Sequence, residues 1–136
     1  MKTWGRGRGD EGVSMKNWVS IGAISAAIAV VCGAFGAHGL RDRVSAEDLA
    51  IWQTGVLYHL IHAPVLVLYG FIVREGRRIG AWCFFLGTLI FSGTLYAMTL
   101  GGPRWLGAIT PIGGVLLIAG WIAFAWEARK SLPRPE

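Results

Sequence analysis

Apolar residues in this chain do not alternate with polar ones; they come in long runs. Four stretches, near residues 18–37, 51–73, 80–100 and 108–126, are apolar around the whole circumference of a helix. Each is close to the about 20 residues that a helix needs to cross about 30 Å of hydrocarbon. A helix that is apolar all round has no stripe to offer water, so a bilayer rather than a soluble core is its natural solvent. The pattern predicts an all-α polytopic membrane protein, a compact bundle of four transmembrane helices. The bundle would occupy residues 16–128, between a flexible tail at 1–15 and a short tail at 129–136.

The polar punctuation refines these elements. Residues 1–14, MKTWGRGRGDEGVS, are Gly-rich and charged without periodicity, as in a disordered tail. Met15 opens a second plausible start, MKNW. A signal peptide is disfavoured at this end, because the run at 18–38 is long for an h-region and lacks a convincing cleavage site. Ser45 followed by Glu47 and Asp48 has the form of an N-cap with acids in the first turn, so the second helix is expected to start near Ala46. Trp52 would then lie at headgroup level. Pro64 removes one helical hydrogen bond and predicts a kink. In the segment GAITPIGG at 107–114, Thr110 is read as an N-cap and Pro111 as the first helical residue, a simple helix start. A partly extended entry lining an outer cavity is the alternative.

Composition agrees: 54% of residues are hydrophobic, 15% are charged and the mean hydropathy is +0.51. The net charge of +5 sits at helix ends. Lys2, Arg6, Arg8, Lys16, Arg74, Arg77, Arg78, Arg129, Lys130 and Arg134 fall on one side, against Arg41, Arg43 and Arg104 on the other. The positive-inside rule therefore predicts cytoplasmic termini. No nucleic-acid-binding motif accompanies these charges, and the expected partner is the lipid bilayer, with a homo-oligomer or larger membrane complex left open. Cys32 and Cys83 would lie about 21 Å and about 5 Å from the cytoplasmic ends of their helices, too far apart in depth to bridge. Both read as small packing residues.

Two constellations stand out. Gly22, Ala26, Ala29, Gly33 and Gly36 recur every three or four residues along the first helix, a packing seam that lets backbones approach closely; a cofactor groove is the lesser reading. The sharper feature is Tyr58, His59 and His62, a single turn that is expected to offer two imidazoles and a phenol on one helix face. Ionisable side chains within hydrocarbon are rare and usually functional. Counting along the helices places His38, Ser92, Tyr96 and Thr110 in the same outer half, so a polar cluster of His38, Tyr58, His59, His62, Ser92, Tyr96 and Thr110 is expected.

Three readings of that cluster stand side by side. It is a structural hydrogen-bond network, a path for a small solute or protons, or a metal or haem site on His59 and His62. Two histidines make an incomplete metal shell, and no cofactor is expected. No Walker loop, GxSxG elbow, HExxH, CxxC or dinucleotide fingerprint occurs, so enzymatic activity is not expected. An accessory subunit docking on a larger membrane complex through the Gly/Ala stripe is the alternative to a solute-handling role.

Four ordered motifs carry a resemblance: GAFGAHGL at 33–40, WQTGVLYHLIHA at 52–63, FSGTLYAMTL at 91–100 and LGAITPIGGVLLIAGW at 106–121. Over residues 15–126 the chain resembles the domain-of-unknown-function 423 family, also described as transmembrane protein 256-like. The resemblance implies a small four-helix protein of the bacterial inner membrane, without an established activity. Its motifs map onto Gly36, His38, Tyr58, His59, His62, Ser92, Tyr96, Thr110, Pro111 and Gly113. The extension before Met15 departs from the family's short start.

Overall fold

A computed structural model describes residues 15–73 and 78–132. The tail at 1–14, with Lys2, Arg6 and Arg8, and Arg74, Arg77 and Arg134 lie outside these residues. Among the described residues there are four long helices and no strand: α1 at Met15–Phe35, α2 at Ala46–Ile72, α3 at Ile79–Thr99 and α4 at Thr110–Ser131. All four are long and apolar enough to cross a membrane. The chain is an all-α membrane protein.

The helix ends follow local chemistry. α1 continues into a π turn, Gly36–Leu40, which carries the exposed His38. Ser45 caps α2, its hydroxyl accepting from the backbone N–H of Asp48 at 3.0 Å. Pro64 lies inside α2, which runs unbroken to Ile72. α3 ends where Gly101 takes a φ of +94°, a left-handed conformation that glycine adopts without strain. A 3-10 turn, Arg104–Ala108, then leads into α4.

Thr110 is the first residue of α4 rather than its cap. Its hydroxyl turns back to the carbonyl of Leu106 at 3.1 Å and across to the Thr94 hydroxyl at 2.7 Å. Trp52 points into the bundle. It is buried, and its indole N–H donates to the carbonyl of Cys32 at 2.9 Å, because Gly36 opposite leaves room for the ring.

Successive helices pack antiparallel: Gly22 faces Ala63 and Val67, Gly33 faces Val56, and Gly36 faces Trp52. Gly55 meets Leu95 and Tyr96, while Gly80 meets Tyr69; Gly87 faces Leu117 and Gly113 faces Phe91. A Cβ on Gly22 would lie 2.7 Å from the backbone nitrogen of Val67, so here the backbones themselves are in contact. Lipid tails are as apolar as the side chains they would replace, so dispersion across such close seams holds the bundle together. α2 and α3 are central. Half of the α2 membrane window is buried, against 17% for α1.

One core cluster, including Trp18, Leu66, Tyr69, Phe84 and Leu117, fills the half that holds the chain ends. A smaller one, Leu40, Trp52 and Val56, fills the half that holds the α1–α2 and α3–α4 connections, hereafter the distal half.

Candidate functional site

α1 packs along α2, and α2 along α3. α1 and α3 therefore flank the same central helix without packing on each other along their lengths, and a cavity of about 410 Å³ lies between them. At the end nearer the termini, Trp18 of α1 packs edge-on against Trp82 and Phe85 of α3, with ring centroids 5.1 and 6.3 Å away. Phe85 also lines the cavity, so this aromatic group forms its floor. The rim includes Ile24, Ile28 and Leu89, which are 63%, 51% and 59% exposed on the flank of the bundle. An apolar rim at mid-helix opens sideways, toward hydrocarbon.

The polar wall is built from all three helices. His59 is the middle residue of α2 and is buried. Its Nε2 lies 2.9 Å from Ser25 Oγ of α1, and its Nδ1 lies 3.2 Å from Tyr96 Oη of α3. Both hydroxyls can donate or accept, so either neutral tautomer satisfies this chain of three groups. Ser92 Oγ donates to the carbonyl of Gly55 at 2.8 Å. Thr88, one turn before Ser92, also lines the cavity, and its buried hydroxyl has no hydrogen-bond partner.

The turn Tyr58–His62 is divided between two environments. His62 faces α4 instead of the cavity. Its Nδ1 donates to the carbonyl of Tyr58 at 2.7 Å, and its Nε2 accepts from the indole N–H of Trp121 at 3.2 Å. A carbonyl only accepts and an indole N–H only donates, so these partners fix His62 as the neutral Nδ1–H tautomer. Tyr58 is more than a third exposed and packs on Phe91, with centroids 4.2 Å apart, and on His62. His59 and His62 do not share one environment as expected: they project about 60° apart around α2, and because the central helix has a different neighbour on each side, that angle is enough to turn His59 to α1 and α3 and His62 to α4. Thr110 joins Thr94 at the distal end of the α3–α4 seam, and His38 is exposed in the π turn. Of the expected cluster, His59, Ser92 and Tyr96 therefore share the cavity, whereas His38, Tyr58, His62 and Thr110 lie elsewhere.

As a metal site the arrangement is poor. Both ring nitrogens of His62 are engaged, and among the described residues no three His, Cys, Asp or Glu side chains converge. Cys32 and Cys83 are free thiols, and Cys32 lines the cavity. Of the packing stripe, Gly22, Ala29 and Gly36 are buried and Ala26 and Gly33 partly so, and the stripe seats α1 on α2.

Sequence reasoning passed over Ser25, Thr88 and Glu127. Ser25 is the middle residue of α1, beside the small-residue stripe. Thr88 stands four residues before Ser92, and that spacing places both on one helix face. Glu127 of α4 ties the bundle at the terminal end. It accepts from the Tyr69 hydroxyl and from the N–H groups of Ile79 (3.0 Å) and Gly80 (3.3 Å) at the start of α3. At the distal end, Asp48 pairs with Arg104 at 2.7 Å.

Residues 32–114 match the family described as Protein of unknown function (DUF423). The chain is 42% identical over 123 residues to the UPF0382 membrane protein YwdK of Bacillus subtilis (strain 168), covering 87% of this chain and all of that one. It is 43% identical over 119 residues to a UPF0382 membrane protein of Staphylococcus epidermidis, covering 85% and 98%. A UPF0382 membrane protein of Staphylococcus saprophyticus is 43% identical over 112 residues, covering 79% and 92%. No solved structure matches.

Proposed function

The chain belongs to the DUF423 family of membrane proteins, and from that premise and the cavity geometry we propose that it is a non-enzymatic binding protein for a small, mainly apolar molecule drawn from the bilayer. The site is the space between α1 and α3. Relatives that are bacterial membrane proteins support a place in the bacterial inner membrane, and the basic residues near the chain ends support cytoplasmic termini.

The observation that carries this reading is a cavity of about 410 Å³ with a continuous apolar lining and a short polar strip. Its size falls within the range of about 300–1,000 Å³ usual for small-molecule sites, and apolar walls with a few placed polar groups are their usual construction. The alternative use of His59, in a proton path, finds less support. Ser25 and Tyr96, the two ends of the hydrogen-bonded chain, both line the same cavity. The chain thus links two points of one wall rather than two sides of a membrane.

Gly93 provides the test, because it lines the cavity and a Cβ built on it meets nothing within 4 Å. Gly93→Phe should fill the space without disturbing the packed seams. In the full-length protein in lipid nanodiscs, a dodecane chain bearing a diazirine should label the cavity-lining stretches of α1 and α3 on irradiation. Gly93→Phe should abolish that labelling. Labelling that ignores Gly93→Phe, or never reaches those stretches, would refute the proposal.

A further inference from the structure

We infer that the molecule held in this cavity is uncharged and carries an acceptor oxygen, a carbonyl or an alcohol, that takes the hydroxyl proton of Ser25; the inference rests on the binding role proposed above. Ser25 and Tyr96 each bring one hydroxyl proton to the polar wall, and a neutral His59 brings one N–H. The two contacts that join them, Ser25 Oγ to Nε2 at 2.9 Å and Tyr96 Oη to Nδ1 at 3.2 Å, use two of these three donors. Whichever tautomer His59 adopts, one hydroxyl proton is left over. A phenol gives up its proton more readily than an aliphatic alcohol, and the alcohol oxygen is the better acceptor. Tyr96 therefore donates to Nδ1, the Nε2–H donates to Ser25 Oγ, and the Ser25 proton is the one left over. The Cys32 thiol beside Tyr96 is too weak an acceptor to draw the phenol proton away from the imidazole. Ser25 does not spend its proton on its own helix either. Thr54, Thr99 and Thr110 each donate to the carbonyl four residues back, at 3.0–3.1 Å, whereas Ser25 is bonded to His59 alone.

Ser25 lines the cavity and is partly exposed, so an occupant can approach it. A donor left unused in an apolar wall is costly, and an acceptor on the occupant removes that cost. The rest of the wall sets the charge of the occupant. Among the described residues no Lys, Arg, Asp or Glu lines the cavity. A carboxylate, ammonium or phosphodiester brought there would lose its hydration without gaining a counter-charge. A neutral oxygen loses little and gains one hydrogen bond. Ser25 and His59 are the middle residues of α1 and α2, whereas bilayer phospholipids keep their charged groups at the interface. The wall therefore selects against bulk lipid and for a molecule whose single polar group is tolerated in hydrocarbon, such as a long-chain ketone or alcohol.

The test is competition against the diazirine dodecane probe in nanodiscs, at equal concentrations in the bilayer. 2-Dodecanone and 1-dodecanol should displace the probe about fivefold more effectively than dodecane, the value of one net hydrogen bond, and dodecyltrimethylammonium should be no better than dodecane. Ser25→Val puts a methyl group where the hydroxyl was, over Nε2. It should erase the advantage of the oxygenated competitors while the probe itself still labels the cavity. Tyr96→Phe should keep the advantage, because the Ser25 proton is still left over. The nitrogen-15 spectrum of the wild-type imidazoles should show His59 as the Nε2–H tautomer, opposite to His62. Equal displacement by all four molecules, an advantage that survives Ser25→Val or is lost in Tyr96→Phe, or an Nδ1–H tautomer at His59 would overturn the inference and leave the binding role standing. Absence of cavity labelling by the probe would overturn the binding role first, and this inference with it.

Discussion

Two glycines six residues apart on α3 mark opposite ways of treating the same helix. At Gly87, a Cβ would lie 2.9 Å from a Leu117 methyl and 3.0 Å from the Leu117 backbone nitrogen; at Gly93 it would meet nothing within 4 Å. The α3–α4 seam is closed by such contacts. Gly113 would clash with the Phe91 backbone at 2.5 Å, Gly120 faces the Phe84 ring, and Glu127 anchors the start of α3. On the other flank, α3 and α1 leave a cavity between them. In the bilayer such an open flank is reached by apolar molecules, and the proposed binding role takes it as the site. On the proposed reading, the tight seam is the scaffold and the loose one is the site.

That contrast can be broken experimentally. The largest effect is expected at Gly113→Ala, where a methyl group forces two backbones apart. Thermal unfolding in mild detergent should show a loss of about 1–3 kcal/mol. Gly93→Ala is the matched control, since it adds the same methyl to the same kind of helix over open space. It should cost nothing and can gain up to about 1 kcal/mol from reduced backbone freedom. Equal destabilisation by the two would erase the distinction between the flanks.

A smaller effect of opposite sign is expected at Thr88→Val. Removing an unpaired buried hydroxyl should stabilise the ligand-free protein by about 1 kcal/mol, in the same unfolding assay. Destabilisation by Thr88→Val would mean that the hydroxyl has a partner within the fold.

The fold was legible because bilayer length leaves little choice: four apolar runs of about 20 residues have few other destinations. The Ser45 cap and the Gly/Ala stripe were also readable, since both are local patterns. The site was legible only in part. His59, Ser92 and Tyr96 announce themselves as polar residues within hydrocarbon, but the sequence does not tell which neighbour each one faces. Their i, i+3 spacing grouped His59 with His62 on one face, whereas the roughly 60° between them sends one to Ser25 and Tyr96 and the other to Trp121. Thr88 escaped notice because its distinguishing property is a missing bond. Glu127 escaped because its partners, Tyr69, Ile79 and Gly80, are brought to it only by the packing of α4 on α3.

The most direct test of an occupied α1–α3 cavity is a nuclear Overhauser measurement in deuterated lipid nanodiscs, with protonated 1-dodecanol and methyl-labelled protein. Leu66 lines the cavity but is only 1% exposed, whereas Ile24 and Ile28 stand on the rim. A molecule seated inside should give cross-peaks from its chain to the Leu66 and Thr88 methyl groups, and Gly93→Phe should remove them. Cross-peaks confined to Ile24, Ile28 and other lipid-facing methyl groups would mean that the alcohol only coats the surface and that the cavity is not a binding site.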